Sequence, residues 1–137
     1  MASSTKRNKQ GSGSTILFVY GTLKRDQRNH GLMREARFLS EAVTAPEYTL
    51  LDLGPFPGMI PGGTTAVRGE LYEVGPELLA RLDRHEGVPR FYSREEILLE
   101  CGTYVESYLL VDSDRCLKGV IVSRGCWPKA IRNQIVT

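Results

Sequence analysis

A chain of 137 residues, 41% apolar and 25% charged, has the length and composition of a single globular domain with a substantial core. Its net charge is +2, yet Lys6, Arg7 and Lys9 place three positive charges in the first ten residues and leave the remainder slightly acidic, so no nucleic-acid footprint is expected. No apolar run approaches the ~18 residues that span a bilayer, and no apolar segment of about 7–15 residues follows the basic start, so neither a membrane partner nor a secretory leader is expected.

In chain order, residues 1–14 are Ser, Gly, Lys and Asn with little to bury, which predicts a disordered basic tail before a single domain over 15–137. The run 16–20 (Ile-Leu-Phe-Val-Tyr) reads as a buried central strand ended by Gly21. A short helix within 29–38 is followed by alternating strands at 37–45 and 48–53. Three Pro and four Gly in 54–63 predict a shaped, semi-rigid loop. The strand 67–74 carries Gly69, a sign of a bulge or a close backbone approach. A helix over 76–86 starts at Pro76 and buries Leu78, Leu79 and Leu82. A hairpin of 91–99 with 104–111 and a short strand at 119–122 complete the set, before an irregular tail containing Trp127. Strands with one good helix predict an α+β fold, a small, mostly antiparallel sheet curling into a partly closed β-barrel.

Two places carry chemistry. Glu86 lies seven residues after Leu79, two helical turns on, so it projects inward with that leucine. Burial and the negative end of the helix dipole both disfavour its charge and raise its pKa, which suits a general acid/base. The bland alternative is an ordinary glutamate at a fraying helix end, with Gly87 as the left-handed cap and Pro89 as the stop. At the exit of the first strand, Tyr20-Gly21-Thr22-Leu23 offers consecutive amide groups that form an anion-binding concavity, with Lys24 and Arg25 beside it. A plain strand-to-turn exit is the competing reading. Cys101, Cys116 and Cys126 are odd in number and widely spaced, without a zinc-type cluster, so no metal is expected and a reducing, cytoplasmic setting fits best.

Taken in order, Tyr20-Gly-Thr-Leu-Lys-Arg25, Asn29-His30, the Pro/Gly stretch 54–63, Gly69-Glu-Leu-Tyr72, Leu82-Asp-Arg-His-Glu-Gly87 and Tyr92-Ser-Arg94 resemble the gamma-glutamylcyclotransferase-like superfamily, closest to the gamma-glutamylamine cyclotransferase branch. The resemblance covers about 16–111 and is poor over 111–137. It implies a small mixed barrel with a cavity at one end, lined by Tyr20, Gly21, Thr22 and Leu23, with Glu86 as catalytic acid/base. It further implies a small gamma-glutamyl amine or amino acid as substrate, cyclised to 5-oxoproline with release of the amine, and no cofactor. Asp26 departs from the small residue or glycine that many relatives carry there.

The remaining residues are weighed individually. Tyr108, and less so Tyr92, would lend a hydroxyl to the pocket. Asp83 would bond Arg84 or backbone at the surface, although like-charge tuning of Glu86 is the sharper alternative. Arg68 and Arg94 would either meet a substrate carboxylate or stay on the surface. Phe56, Met59 and Ile60 would wall the pocket, and Trp127 would cover an edge. His30 and His85 are expected to be non-catalytic, because no activated Ser or Cys elbow accompanies them. A binding module that has lost turnover and an enzyme removing a gamma-glutamyl protecting group from a larger metabolite are the alternative functions. The sequence does not reveal the oligomeric state.

Overall fold

A computed structural model describes residues 13–128, so the expected tail at 1–14 lies almost wholly outside the described residues. The strands are β1 (Thr15–Val19), β2 (Arg37–Val43), β3 (Tyr48–Asp52), β4 (Pro57–Pro61), β5 (Arg68–Val74), β6 (Tyr92–Leu98), β7 (Tyr104–Leu110) and β8 (Val120–Ile121). The helices are α1 (Pro76–His85) and α2 (Ser113–Lys118), with one 3-10 turn at His30–Met33.

The strands form one mixed sheet in the order β2-β5-β1-β7-β4-β3-β8, with β6 also on β7. The apolar run of β1 takes a central place, burying Leu17, Phe18 and Val19 between an antiparallel β5 and a parallel β7. β7 is shared by three partners. It pairs with β1 at Phe18↔Ser107, with β4 in parallel at Met59↔Leu109, and with β6 along its whole length. Among the described residues no ladder closes the sheet. A single bridge, Thr44↔Leu99, joins the ends of β2 and β6, backed by Ala45 N–H donating to the Leu98 carbonyl and Glu100 N–H to that of Val43. The buried Thr44 hydroxyl secures this closure by donating to the Ala45 carbonyl and accepting from Val67 N–H.

Helix α1 begins with Pro at its first position and lays Leu78, Leu79 and Leu82 on one apolar cluster with Leu17, Val19 and Val74. Burying each leucine is worth roughly 1.5–3 kcal/mol, which holds the helix across the sheet. The other cluster, with Phe18, Leu50, Met59, Ile97 and Trp127, fills the opposite face.

Four expectations need correction. The stretch 54–63 is not wholly loop, because β4 runs through it in register with β3, from Tyr48↔Pro61 to Asp52↔Pro57. Its two prolines sit at the strand ends, where a missing N–H costs least. The helix within 29–38 is a single 3-10 turn. Residues 113–118, for which the sequence suggested no element, form α2, whose start is capped by Asp112 accepting from the amides of Asp114 and Arg115. Trp127 belongs to the core rather than to an edge alone, with its indole donating to Asp52 at 3.0 Å.

Candidate functional site

The exit turn of β1 is held from three sides. Asn29 donates from its side-chain amide to the Thr22 hydroxyl at 3.0 Å and from its backbone to the Thr22 carbonyl. His30 Nδ1 lies 2.9 Å from the Leu23 carbonyl oxygen. Glu70, a buried carboxylate on β5, accepts from Arg25 N–H at 3.0 Å, from Arg25 Nε at 3.2 Å and from the Tyr72 hydroxyl at 3.0 Å. The amides of Gly21, Thr22 and Leu23 donate to no acceptor among the described residues, so the turn presents them outward as a concavity with positive potential. Gly21 has a further reason to be glycine: a Cβ there would stand 2.7 Å from Pro57 Cγ, so the close approach is made by β4. Asp26, just beyond, adopts a φ of +70°, a left-handed conformation that favours glycine.

A cavity of about 260 Å³ opens where this turn, the start of β4 and the end of α1 meet. Tyr20, Gly21, Thr22, Leu23, Glu86 and Tyr108 all line it, together with Phe56, Pro57, Tyr92, Arg28 and His85. Met59 and Ile60 do not: Met59 is fully buried in the core beyond the cavity, and Ile60 packs against the cluster under α1.

Glu86 caps the C-terminus of α1, its N–H still donating to the Leu82 carbonyl, and Gly87 follows at a φ of +71°. No hydrogen bond or ion pair from the described residues reaches its carboxyl. Burial alone pushes its pKa up from 4.5 to about 7. The tyrosines beside it spend their protons on the protein. Tyr20 donates to the Tyr108 carbonyl, Tyr92 to the Pro57 carbonyl and Tyr108 to Asp83, each at 2.6 Å. Burial raises all three phenols, so they stay protonated; the Tyr20 oxygen also accepts from Met59 N–H, and Tyr92 and Tyr108 offer the cavity oxygen lone pairs rather than donors.

Asp83 is bound differently from expectation. Its partners are Arg94, which reaches it at 2.8 and 3.0 Å, and Tyr108, instead of Arg84. Burial pushes its pKa up, but the hydrogen bonds from Arg94 and Tyr108 outweigh this and hold it below the usual range. Two carboxyls three residues apart thus have pKa values driven in opposite directions, one charged and one poised for proton transfer. Arg94 also pairs with Glu106, so its fork is spent on protein carboxylates and is not a substrate ligand. Arg68 stays off the cavity. His30 is occupied by the turn, while His85 is exposed at the mouth. Among the described residues no three His, Cys, Asp or Glu side chains gather as a metal set, and the three cysteines are free. Sequence reasoning missed Glu70 and Asn29 as holders of the turn, although both lie within the motifs that carry the resemblance.

A pocket that holds one carboxyl raised towards neutrality beside an amide-lined turn has the chemistry that acid/base work on a small molecule requires. The profile of the family described as "Gamma-glutamyl cyclotransferase, AIG2-like" matches residues 17–129, and the chain belongs to that family. Its type is therefore that of an enzyme. A human gamma-glutamylaminecyclotransferase is 38% identical over 88 residues, which are 58% of this chain and 58% of the human protein's length. A Vibrio cholerae protein carrying a provisional gamma-glutamylcyclotransferase name is 42% identical over 88 residues, 64% of this chain and 76% of that protein. The crystal structure of a mouse AIG2-like protein superposes with a TM-score of 0.73 at 26% identity, covering 89% of this chain and 94% of that one.

Proposed function

We propose that this chain cyclises the gamma-glutamyl group of a small gamma-glutamyl amine or amino acid to 5-oxoproline, releasing the amine, with Glu86 as acid/base. The observation that carries the reading is the Glu86 carboxyl, unpaired and raised to about 7, in the same cavity as the free amides of the 21–23 turn. The turn amides receive the substrate α-carboxylate, and the oxygens of Glu86, Tyr92 and Tyr108 receive its α-ammonium.

The ammonium loses a proton to Glu86, and the neutral amine attacks the γ-carbonyl carbon, forming the ring C–N bond. Collapse of the tetrahedral intermediate breaks the bond to the leaving nitrogen, which Glu86 protonates. Two protons leave the α-nitrogen and two reach the departing amine, so one carboxyl cycling twice balances the reaction without water. A cavity of this size folds the glutamyl chain towards five-membered closure, replacing rotational freedom by binding.

The test is release of 5-oxoproline from a panel of gamma-glutamyl amines and dipeptides by the wild type and Glu86→Gln. Loss of general acid/base catalysis should lower kcat by about 10²–10⁴-fold while substrate still binds. A variant that keeps most of its activity, or a wild type inert on the whole panel, would contradict the assignment.

A further inference from the structure

Within the proposed cyclotransferase reading, the mouth of the cavity says which amine is released. Its walls are Phe56 and Phe91, whose rings meet edge to face with centroids 5.7 Å apart. Two guanidiniums lie near this mouth. Arg28, from the turn after β1, lines the cavity and uses one N–H to bond the Pro55 carbonyl at 2.6 Å, which leaves the rest of its fork free. Arg115, from α2, does not line the cavity itself but lies 4.5 Å above the ring of Phe91, which does, close enough to Tyr92 for its charge to act on that hydroxyl. The acid nearest to Arg115 is Asp112, at 3.6 Å, but that carboxylate also accepts from the amides that open α2. Among the residues lining the cavity, Glu86 is the only acid, and it sits at the end of α1 facing the turn amides.

We propose that Arg28 and Arg115 are specificity-determining residues that receive a carboxylate on the leaving half, so the preferred substrates are gamma-glutamyl compounds of an amino acid with an apolar side chain. The Phe56–Phe91 edge takes the side chain and the two guanidiniums take the acid. A leaving amine carrying a second cation meets like charge and is disfavoured.

A matched pair isolates the carboxylate: gamma-glutamyl-phenylalanine and gamma-glutamyl-phenethylamine differ only by that group. Because both arginines are largely exposed, each pair is worth at most about 1 kcal/mol, or roughly fivefold. The wild type should therefore favour the carboxylate member in kcat/KM by roughly fivefold or more, mainly through KM. Arg28→Gln and Arg115→Gln should each shrink that ratio by about threefold, and the mono-gamma-glutamyl derivative of 1,5-diaminopentane should gain in both variants. A wild-type ratio near one, or a ratio that neither variant moves, would overturn the proposal. If neither compound yields 5-oxoproline, the cyclotransferase reading is what has failed. Calorimetric binding of the same two compounds then decides the specificity separately: tighter binding of the carboxylate member, lost in the double variant, supports it, and equal binding or none overturns it.

Discussion

Glu86 carries its charge at a cost to the fold. Its pKa of about 7 lies above the ordinary 4.5, so the folded state holds a proton that the unfolded chain has released between those values. Stability therefore falls as pH rises through that window, and the full penalty applies above about 7. Glu86→Gln removes the penalty, so the variant should match the wild type at pH 4 and exceed it at pH 8, by on the order of 2 kcal/mol after allowing for the carboxyl's partial access to water. Denaturant unfolding at the two pH values checks this, and a variant less stable than wild type at pH 8 would refute the desolvated carboxyl. The same substitution abolishes the proposed activity, which is the trade expected of a strained functional group. The inward direction of Glu86 was legible from its seven-residue spacing to Leu79. The partner of Asp83 was not, because Arg94 lies eleven residues on and on another element, and only the crossing of α1 with β6 brings them together.

At the scale of elements, the carrier of the site is the β5–β1 pair. Gly69 on β5 leaves room for β1: a Cβ there would stand 2.4 Å from the Val19 carbonyl oxygen and 2.6 Å from Phe18 Cζ. The expected close backbone approach is thus real, and it occurs one residue before the turn that supplies Tyr20. Gly69→Ala should push the strands apart at the root of the cavity, costing about 2 kcal/mol or more in unfolding free energy. A variant as stable as the wild type would show that the strands separate freely. Alternation and apolar runs made most strands readable, with bounds within a residue or two. They failed for β4, whose interior Met59 N–H donates to the Tyr20 hydroxyl at 2.9 Å across the core. They failed too for α2, which buries no residue and shows only an Asp cap and polar composition.

For the whole molecule, the sheet brings three distant segments to one end: the turn after β1, the start of β4 and the C-terminus of α1. β7 makes this possible by serving β1, β4 and β6 at once, and the Thr44↔Leu99 bridge ties the far edges without closing the sheet. Motif order conveyed which residues share a pocket, since Tyr20–Leu23 and Glu86 each carry a local signal. The mouth was not legible, because Arg115 reaches Phe91 only through the placement of α2, a short helix that buries no residue. The central claim is that desolvation poises Glu86 for proton transfer near neutrality, and the pH dependence of kcat/KM for 5-oxoproline release tests it most directly. The base must be ionised in the free enzyme, so activity should climb with pH through a single acidic limb centred near 7. A limb near 4.5, or none, would mean that Glu86 is an ordinary carboxylate and that the proton moves elsewhere.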